Sequence, residues 1–223
     1  MYKHIVKRLM DLVLSSVAIV VLALPMLMIV LAIKIDDPGP ALFKQKRVGQ
    51  KKNGEITHFM IWKFRSMKMS TPHDTPTHLL ENPEQYITRV GRLIRKTSLD
   101  ELPQIYQVFT SKLSVVGPRP ALWSQEDLIA EREKYGANDV KPGITGWAQI
   151  NGRDELEIDV KARFDGEYAA ALNAGKFKGV GMDLKCFFGT IKSVLKSDGV
   201  VEGGTGELKK QENAEKKKEL QEK

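Results

Sequence analysis

The chain has 223 residues, with 35 Lys and Arg against 28 Asp and Glu, a net charge of +7 and a pI near 9.3. That length gives one domain of ordinary size plus appendages, and that charge predicts attraction to polyanions such as lipid headgroups, phosphate-rich substrates or nucleic acid. A single cysteine, Cys186, excludes an internal disulfide framework and fits a reduced, cytosol-facing setting.

Leu12 to Ile33 contains no charged residue, and its only polar residues are Ser15 and Ser16. As a helix this stretch is about 33 Å long, enough for a bilayer core of about 30 Å. It is longer than the apolar part of a signal peptide and runs into Lys34-Ile35-Asp36-Asp37-Pro38 without a small-residue cleavage pattern. Basic residues flank both sides, Lys3, Lys7 and Arg8 before it and Lys34, Lys44, Lys46, Arg47, Lys51 and Lys52 after it. The positive-inside rule therefore fits a segment whose two flanks stay on one side. Pro25, near the middle, removes a helix hydrogen bond and predicts a kink. The residues leave both a spanning helix and a re-entrant one open, because prolines also occur in spanning helices.

Residues 36–70 read as a turn, Asp37-Pro38-Gly39-Pro40, followed by strand-like segments, Ala41-Leu42-Phe43 and Ile56 to Phe64, separated by the hairpin signal Asn53-Gly54. In Lys63-Phe64-Arg65 the alternation puts Lys63 and Arg65 on one face, either a solvated edge or a basic pair for a ligand. Residues 71–85 are loop-like, with His73 and His78 at a spacing typical of no metal site. From about 86 to 200 helical periodicity dominates, interrupted by the proline segments at 117–120 and 141–143. Glu207 to Lys223 carries six Lys and five Glu and reads as a solvated or disordered tail.

The chemistry concentrates in Thr97-Ser98-Leu99-Asp100-Glu101-Leu102-Pro103-Gln104, preceded by Arg89, Arg92, Arg95 and Lys96. Ser98-x-x-Glu101 is readable as a capping box, but Pro103 would then fall at a helical position where its ring clashes. With Asp100 as the N-cap, Pro103 falls in the first turn, and Leu102, Ile105, Tyr106 and Phe109 line one apolar face. Asp100 and Glu101 point about 100° apart on a helix, so they serve separate roles rather than sharing one proton. Arg119, between Pro118 and Pro120, is either part of a rigid connector or a guanidinium held in a fixed direction for phosphate. Lys141 to Gly152 is glycine-dense with one tryptophan, an ordinary loop or a close-approach loop for a nucleotide or sugar. It has neither the P-loop nor the dinucleotide fingerprint.

Thr97 to Gln104, Val115-Val116-Gly117-Pro118-Arg119-Pro120 and Lys141-Pro142-Gly143-Ile144-Thr145-Gly146-Trp147-Ala148-Gln149, taken in order, resemble the bacterial sugar transferase family, the monotopic polyprenyl-phosphate phosphoglycosyl transferases. Lys7-Arg8-x-x-Asp11 and Lys63-Phe64-Arg65-Ser66-Met67 extend the resemblance from about residue 3 to 200. The resemblance implies that the membrane helix at 1–35 is re-entrant; the residues then leave a mostly helical α+β fold, with a compact catalytic domain carrying a small β-hairpin at 36–203 and a charged tail at 204–223. The resemblance also implies transfer of a sugar-1-phosphate from a UDP-sugar to undecaprenyl phosphate at the cytoplasmic face of the bacterial inner membrane, with release of UMP.

By the same resemblance Asp100 is the nucleophile that carries the phosphosugar and lies beside Mg²⁺, and Glu101 assists. Arg95 and Arg119 hold phosphate oxygens, and Lys63, Arg65 and Gln149 are further substrate contacts. One departure stands out: many members have Ser-Pro at the helix break, where this chain has Leu24-Pro25. The alternative class is a membrane-tethered basic protein that binds anionic lipid or nucleic acid without turnover. The lack of an arginine stripe interleaved with aromatics counts against nucleic acid.

Overall fold

The uncharged stretch forms the middle of a 30-residue helix, α1 (Lys7–Asp36), entered through a wide helical turn at Tyr2–Val6. The computed structural model describes residues 2–71, 83–152 and 156–196; the expected loop around His73 and His78 and the charged tail lie outside the described residues. The helix runs on through Pro25, so Leu24-Pro25 does not end it, and the proline sits inside one helical element. Proline deletes one backbone N–H, and one missing bond in a helix of this length is tolerated when neighbouring turns are packed. Here Leu22, Met26, Ile29, Val30 and Ile33 on both sides of Pro25 pack into one apolar cluster with Ala41, Phe64, Ile94, Val90 and Leu102. The opposite face, with Val13, Val17, Val20, Leu24, Leu27 and Leu31, is exposed. At roughly 45 Å, α1 is long and apolar enough to cross a membrane.

Both ends of α1 attach to the same domain. At its start the Arg8 guanidinium donates to the carbonyls of Val108 (2.7 Å) and Phe109 (2.6 Å), and the Asp11 carboxylate accepts from the Ser114 hydroxyl and the Val115 N–H. At its end the Asp36 carboxylate accepts from the N–H of Val90 at 2.8 Å.

The hairpin forms as expected, β1 (Leu42–Lys52) pairing antiparallel with β2 (Glu55–Phe64) through Asn53 (φ 52°) and Gly54 (φ 85°). Its first strand is much longer than Ala41-Leu42-Phe43, because a solvated strand tolerates alternating cations laid over rings. Lys44 sits 5.6 Å from the centre of the Trp62 ring, and Lys46 sits 5.2 Å from that of Trp123. The remaining helices are α2 (Arg89–Lys96), α3 (Gln104–Phe109), α4 (Glu126–Glu133), α5 (Trp147–Ile150), α6 (Ile158–Asn173) and α7 (Lys176–Lys196).

A second sheet escapes the sequence reading: β3 (Ser114–Val116) runs parallel to β4 (Gly143–Thr145). It joins the two proline segments. A Cβ on Gly143 would lie 2.1 Å from the Gly117 nitrogen, so only glycine permits this approach. The resulting architecture is α+β and mostly helical.

The expected apolar face of α3 is split: Leu102 packs against α1 and Ile105 is half-buried, but Tyr106 and Phe109 face outward. Gln104, Gln107 and Val108 are buried. The cause is Gln107, whose side-chain oxygen accepts from the Trp62 N–H (2.9 Å) and whose amide donates to the Met60 carbonyl (2.6 Å). A buried glutamine satisfied at both ends ties α3 to β2.

Candidate active site

Thr97 closes α2, and Ser98 takes a left-handed conformation (φ 56°) that turns the chain into a single 3₁₀ turn, Leu99–Glu101. Pro103 then occupies the N-cap position of α3. Both helix registers considered for this stretch are therefore corrected: Asp100 caps no long helix, and the Ser98 side chain makes no capping bond. Glu101 does not reach back to Ser98 because stronger partners claim it.

The Lys63 ammonium donates to Glu101 Oε1 at 3.0 Å and lies 3.8 Å from Asp100 Oδ2. The Arg119 guanidinium takes both Glu101 oxygens in a fork, 2.6 Å to Oε1 and 3.3 Å to Oε2. Burial pushes the Glu101 carboxyl up, but Arg119 and Lys63 outweigh it and hold the group well below the ordinary carboxylate range. Asp100 is buried at 4% exposure beside this ionised pair.

The structure thus brings together Asp100, Glu101, Lys63 and Arg119. Arg95 lies half-buried in the last turn of α2, and its carbonyl accepts from the Ser98 N–H at 3.0 Å. It stands immediately before the carboxylate turn. Arg65 is placed elsewhere: β2 ends at Phe64, and the Arg65 guanidinium is spent on the Asp37 carboxylate and carbonyl and the Pro40 carbonyl. It therefore does not share a ligand face with Lys63, and its visible work is to lock the exit of α1. Gln149 lies on α5, with its amide reaching the Ile144 carbonyl at 3.4 Å; its bond is to its own loop rather than to the carboxylates.

Three supporting residues were invisible in the sequence. Arg132 donates from Nε and Nη2 to Asp165 (2.9 and 2.6 Å), and Nη2 also reaches the carbonyl of Arg119 at 2.9 Å, so a buried ion pair fixes the backbone that aims Arg119. On the other flank the Arg47 guanidinium donates to the Pro120 carbonyl at 3.1 Å. Gln107 fixes β2 just before Lys63. The only advance signal was residue type: a buried arginine or glutamine requires partners.

Among the described residues no three His, Cys, Asp or Glu side chains form a ready metal cage. Mg²⁺ does not require one, since it is commonly held by one or two carboxylates, waters and substrate phosphates. With Glu101 engaged by two cations, Asp100 is the donor such an ion would use, and the site fits that mode.

The location relative to the apolar helix is also fixed. Leu102, two residues after Asp100, packs in the cluster that contains Leu22, Met26, Ile29 and Ile33 of α1. Fold and site together define a membrane-associated α+β domain with an acidic centre clamped by cations. The chain belongs to the bacterial sugar transferase family, whose model matches residues 2–197.

It is 38% identical over 178 residues to the UDP-glucose:undecaprenyl-phosphate glucose-1-phosphate transferase of Escherichia coli K12, covering 74% of this chain and 36% of that protein. An uncharacterised sugar transferase of Bacillus subtilis 168 is 38% identical over 196 residues, 88% of this chain and 90% of its own length. The undecaprenyl-phosphate galactose phosphotransferase of Salmonella typhimurium LT2 is 36% identical over 208 residues, 86% of this chain and 41% of that protein. The chain thus spans well under half of the two relatives named for a reaction.

Proposed function

We propose that the protein transfers a sugar-1-phosphate from a UDP-sugar to undecaprenyl phosphate and releases UMP, through a covalent intermediate on Asp100. The carrying observation is the Asp100–Glu101 turn, clamped by Lys63 and Arg119 and packed through Leu102 against the apolar helix. A lipid phosphate and a soluble nucleotide both need such a boundary site. The named reactions of the relatives support the same reading.

In the first step a carboxylate oxygen of Asp100 attacks the phosphorus that bears the sugar. The bond from that phosphorus to the bridging oxygen breaks, and UMP leaves with that oxygen and its electron pair. In the second step an oxygen of undecaprenyl phosphate attacks the same phosphorus, displacing Asp100 as a free carboxylate. Glu101 assists the lipid phosphate, while Arg119, Arg95 and Lys63 offset the charge of the two phosphate substrates. Mg²⁺, held by Asp100 together with substrate oxygens, would supply further neutralisation of that charge.

Both ends of α1 bond to one domain. This favours a helix that enters the bilayer and returns, leaving residues 36–203 as the catalytic unit at the cytoplasmic face. The test is release of UMP from UDP-glucose and UDP-galactose in the presence of undecaprenyl phosphate and Mg²⁺, with and without chelator. Asp100→Asn is expected to lower the rate by at least about 10³-fold, without loss of fold. Mass spectrometry after donor alone should find a sugar-phosphate adduct on Asp100. Normal turnover without that adduct would defeat the two-step route.

A further inference from the structure

Beside the first turns of α1 there is a cavity of about 240 Å³, lined among others by Lys3, Lys7, Arg8, Asp11, Ser114 and Lys141. None of Lys63, Asp100, Glu101 or Arg119 lines it.

The charges around it do not balance. Lys7 is matched by Asp183 at 2.8 Å. The other three cations donate to neutral oxygens: Lys3 to the Asn173 side chain (3.1 Å), Arg8 to the Val108 and Phe109 carbonyls, and Lys141 to the Ser111 hydroxyl (2.7 Å). Among the described residues Asp11 is the one carboxylate in the lining, and it accepts from the Ser114 hydroxyl and the Val115 N–H. Three positive charges therefore face a single negative one. Burial pushes the Lys141 ammonium below its ordinary value, and Arg8, Lys52 and Lys7 push it the same way, while Asp11 opposes them. Like charges gathered around a partly enclosed space are costly until an anion enters.

We propose that this cavity binds a phosphate group through Lys3, Arg8 and Lys141, as a site separate from the carboxylate turn. Its position indicates what carries the phosphate. Leu9 and Val13, on the next turns of α1, are exposed apolar residues, and so is Phe109, whose carbonyl Arg8 holds. The cations thus stand where a lipid-facing helix begins, the level at which anionic headgroups lie. The same chemistry would also accept inorganic phosphate, and the experiment separates the two sources.

Thermal unfolding of the full chain is followed in detergent micelles with added phosphatidylglycerol, phosphatidylcholine, or inorganic phosphate matched in ionic strength by chloride. Phosphatidylglycerol is expected to raise the unfolding midpoint of the unaltered protein by roughly 2–4 °C over phosphatidylcholine. Lys141→Gln and Lys3→Gln should each remove at least half of that rise, while Asp100→Asn should keep it. Lys3→Gln serves alone if the Lys141 variant does not fold. A rise with inorganic phosphate that Lys3→Gln removes, with no further rise from phosphatidylglycerol, would keep the phosphate site and assign it to a soluble anion. Equal rises in the unaltered protein and both lysine variants, or no rise with either anion, would overturn the proposal. Retention by Asp100→Asn makes the outcome independent of the transferase reading.

Discussion

Two carboxylates of this molecule, the buried Asp183 and the half-buried Glu101, are each paired with a lysine, yet their surroundings differ. Asp183, on α7, accepts from the Lys7 ammonium (2.8 Å), the Tyr2 hydroxyl (2.5 Å) and the Tyr168 hydroxyl (2.7 Å), and Tyr168 also donates to the Val116 carbonyl. Burial, reinforced by Asp183, pushes both phenols above their ordinary range, so they remain donors. One anion, one cation and two neutral hydroxyls close the account electrically. Lys7 and Asp183 are both under 10% exposed, and the network serves as an anchor for the start of the apolar helix. Around Glu101, by contrast, two cations converge on one carboxylate while Asp100 lies alongside. The comparison teaches that a buried acid–lysine pair can serve purely as an anchor, whereas of the two cations around Glu101 one, Lys63, is shared with a second acid, Asp100.

The sharpest way to break this contrast is Asp183→Asn. It leaves Lys7 buried without its anion, and loss of one member of such a pair costs about 3–5 kcal/mol. Thermal or denaturant unfolding should register that loss, while UMP release per folded molecule stays near normal. A small loss of stability with abolished turnover would reverse the roles assigned to the two carboxylates.

Glu101 predicts a pH dependence of definite sign. Its folded-state value lies well below the ordinary carboxylate value near 4.5. Its pairing therefore contributes stability that is fully present above about pH 4.5, near the unfolded value. That contribution is lost as the pH falls through the lowered folded value. Glu101→Gln should be less stable than the parent at pH 7 by about 1–3 kcal/mol, with the gap narrowing in more acidic buffer. Melting curves between pH 3 and 7 read it directly, and a gap that widens on acidification would contradict the pairing.

The smallest effect is expected from Gln107→Ala, which strands the Trp62 N–H and the Met60 carbonyl at a cost of about 1–2 kcal/mol. Because these groups precede Lys63 on β2, the rate should fall alongside stability. Unchanged kinetics would show that Lys63 is held by Glu101 alone.

Several features were legible in the residues because their causes are local. An uncharged stretch from Leu12 to Ile33 specifies a membrane-length helix wherever the rest folds, and Asn53-Gly54 adopts the positive φ values that a tight hairpin needs. The Asp100–Glu101 pair and Arg119 were identifiable by residue type and by the resemblance of their motifs to the family. Their geometry was not. The capping reading of Ser98 failed because Glu101 is drawn by Lys63, 38 residues earlier, and Arg119, 18 residues later.

Likewise Arg65, expected on the same face as Lys63, turned to Asp37 once the strand ended at Phe64. The inward-facing glutamines of α3 were hidden for the same reason, since Gln107 serves backbone groups more than 40 residues away. β3 and β4, three residues each, carry too little pattern to be seen until their parallel pairing closes.

What the sequence determined by itself was therefore the set of short-range outcomes: the apolar helix, the hairpin turn and the presence of an acidic turn among cations. Hydrophobic content and backbone φ preferences act within a few residues and need no partner. The tertiary structure alone decided which cation meets which acid, that Asp183 anchors while Glu101 is clamped beside Asp100, and that Lys3, Arg8 and Lys141 gather at the head of α1. The reason is that electrostatic pairing depends on distance in space: Tyr2 meets Asp183 across 181 positions of chain.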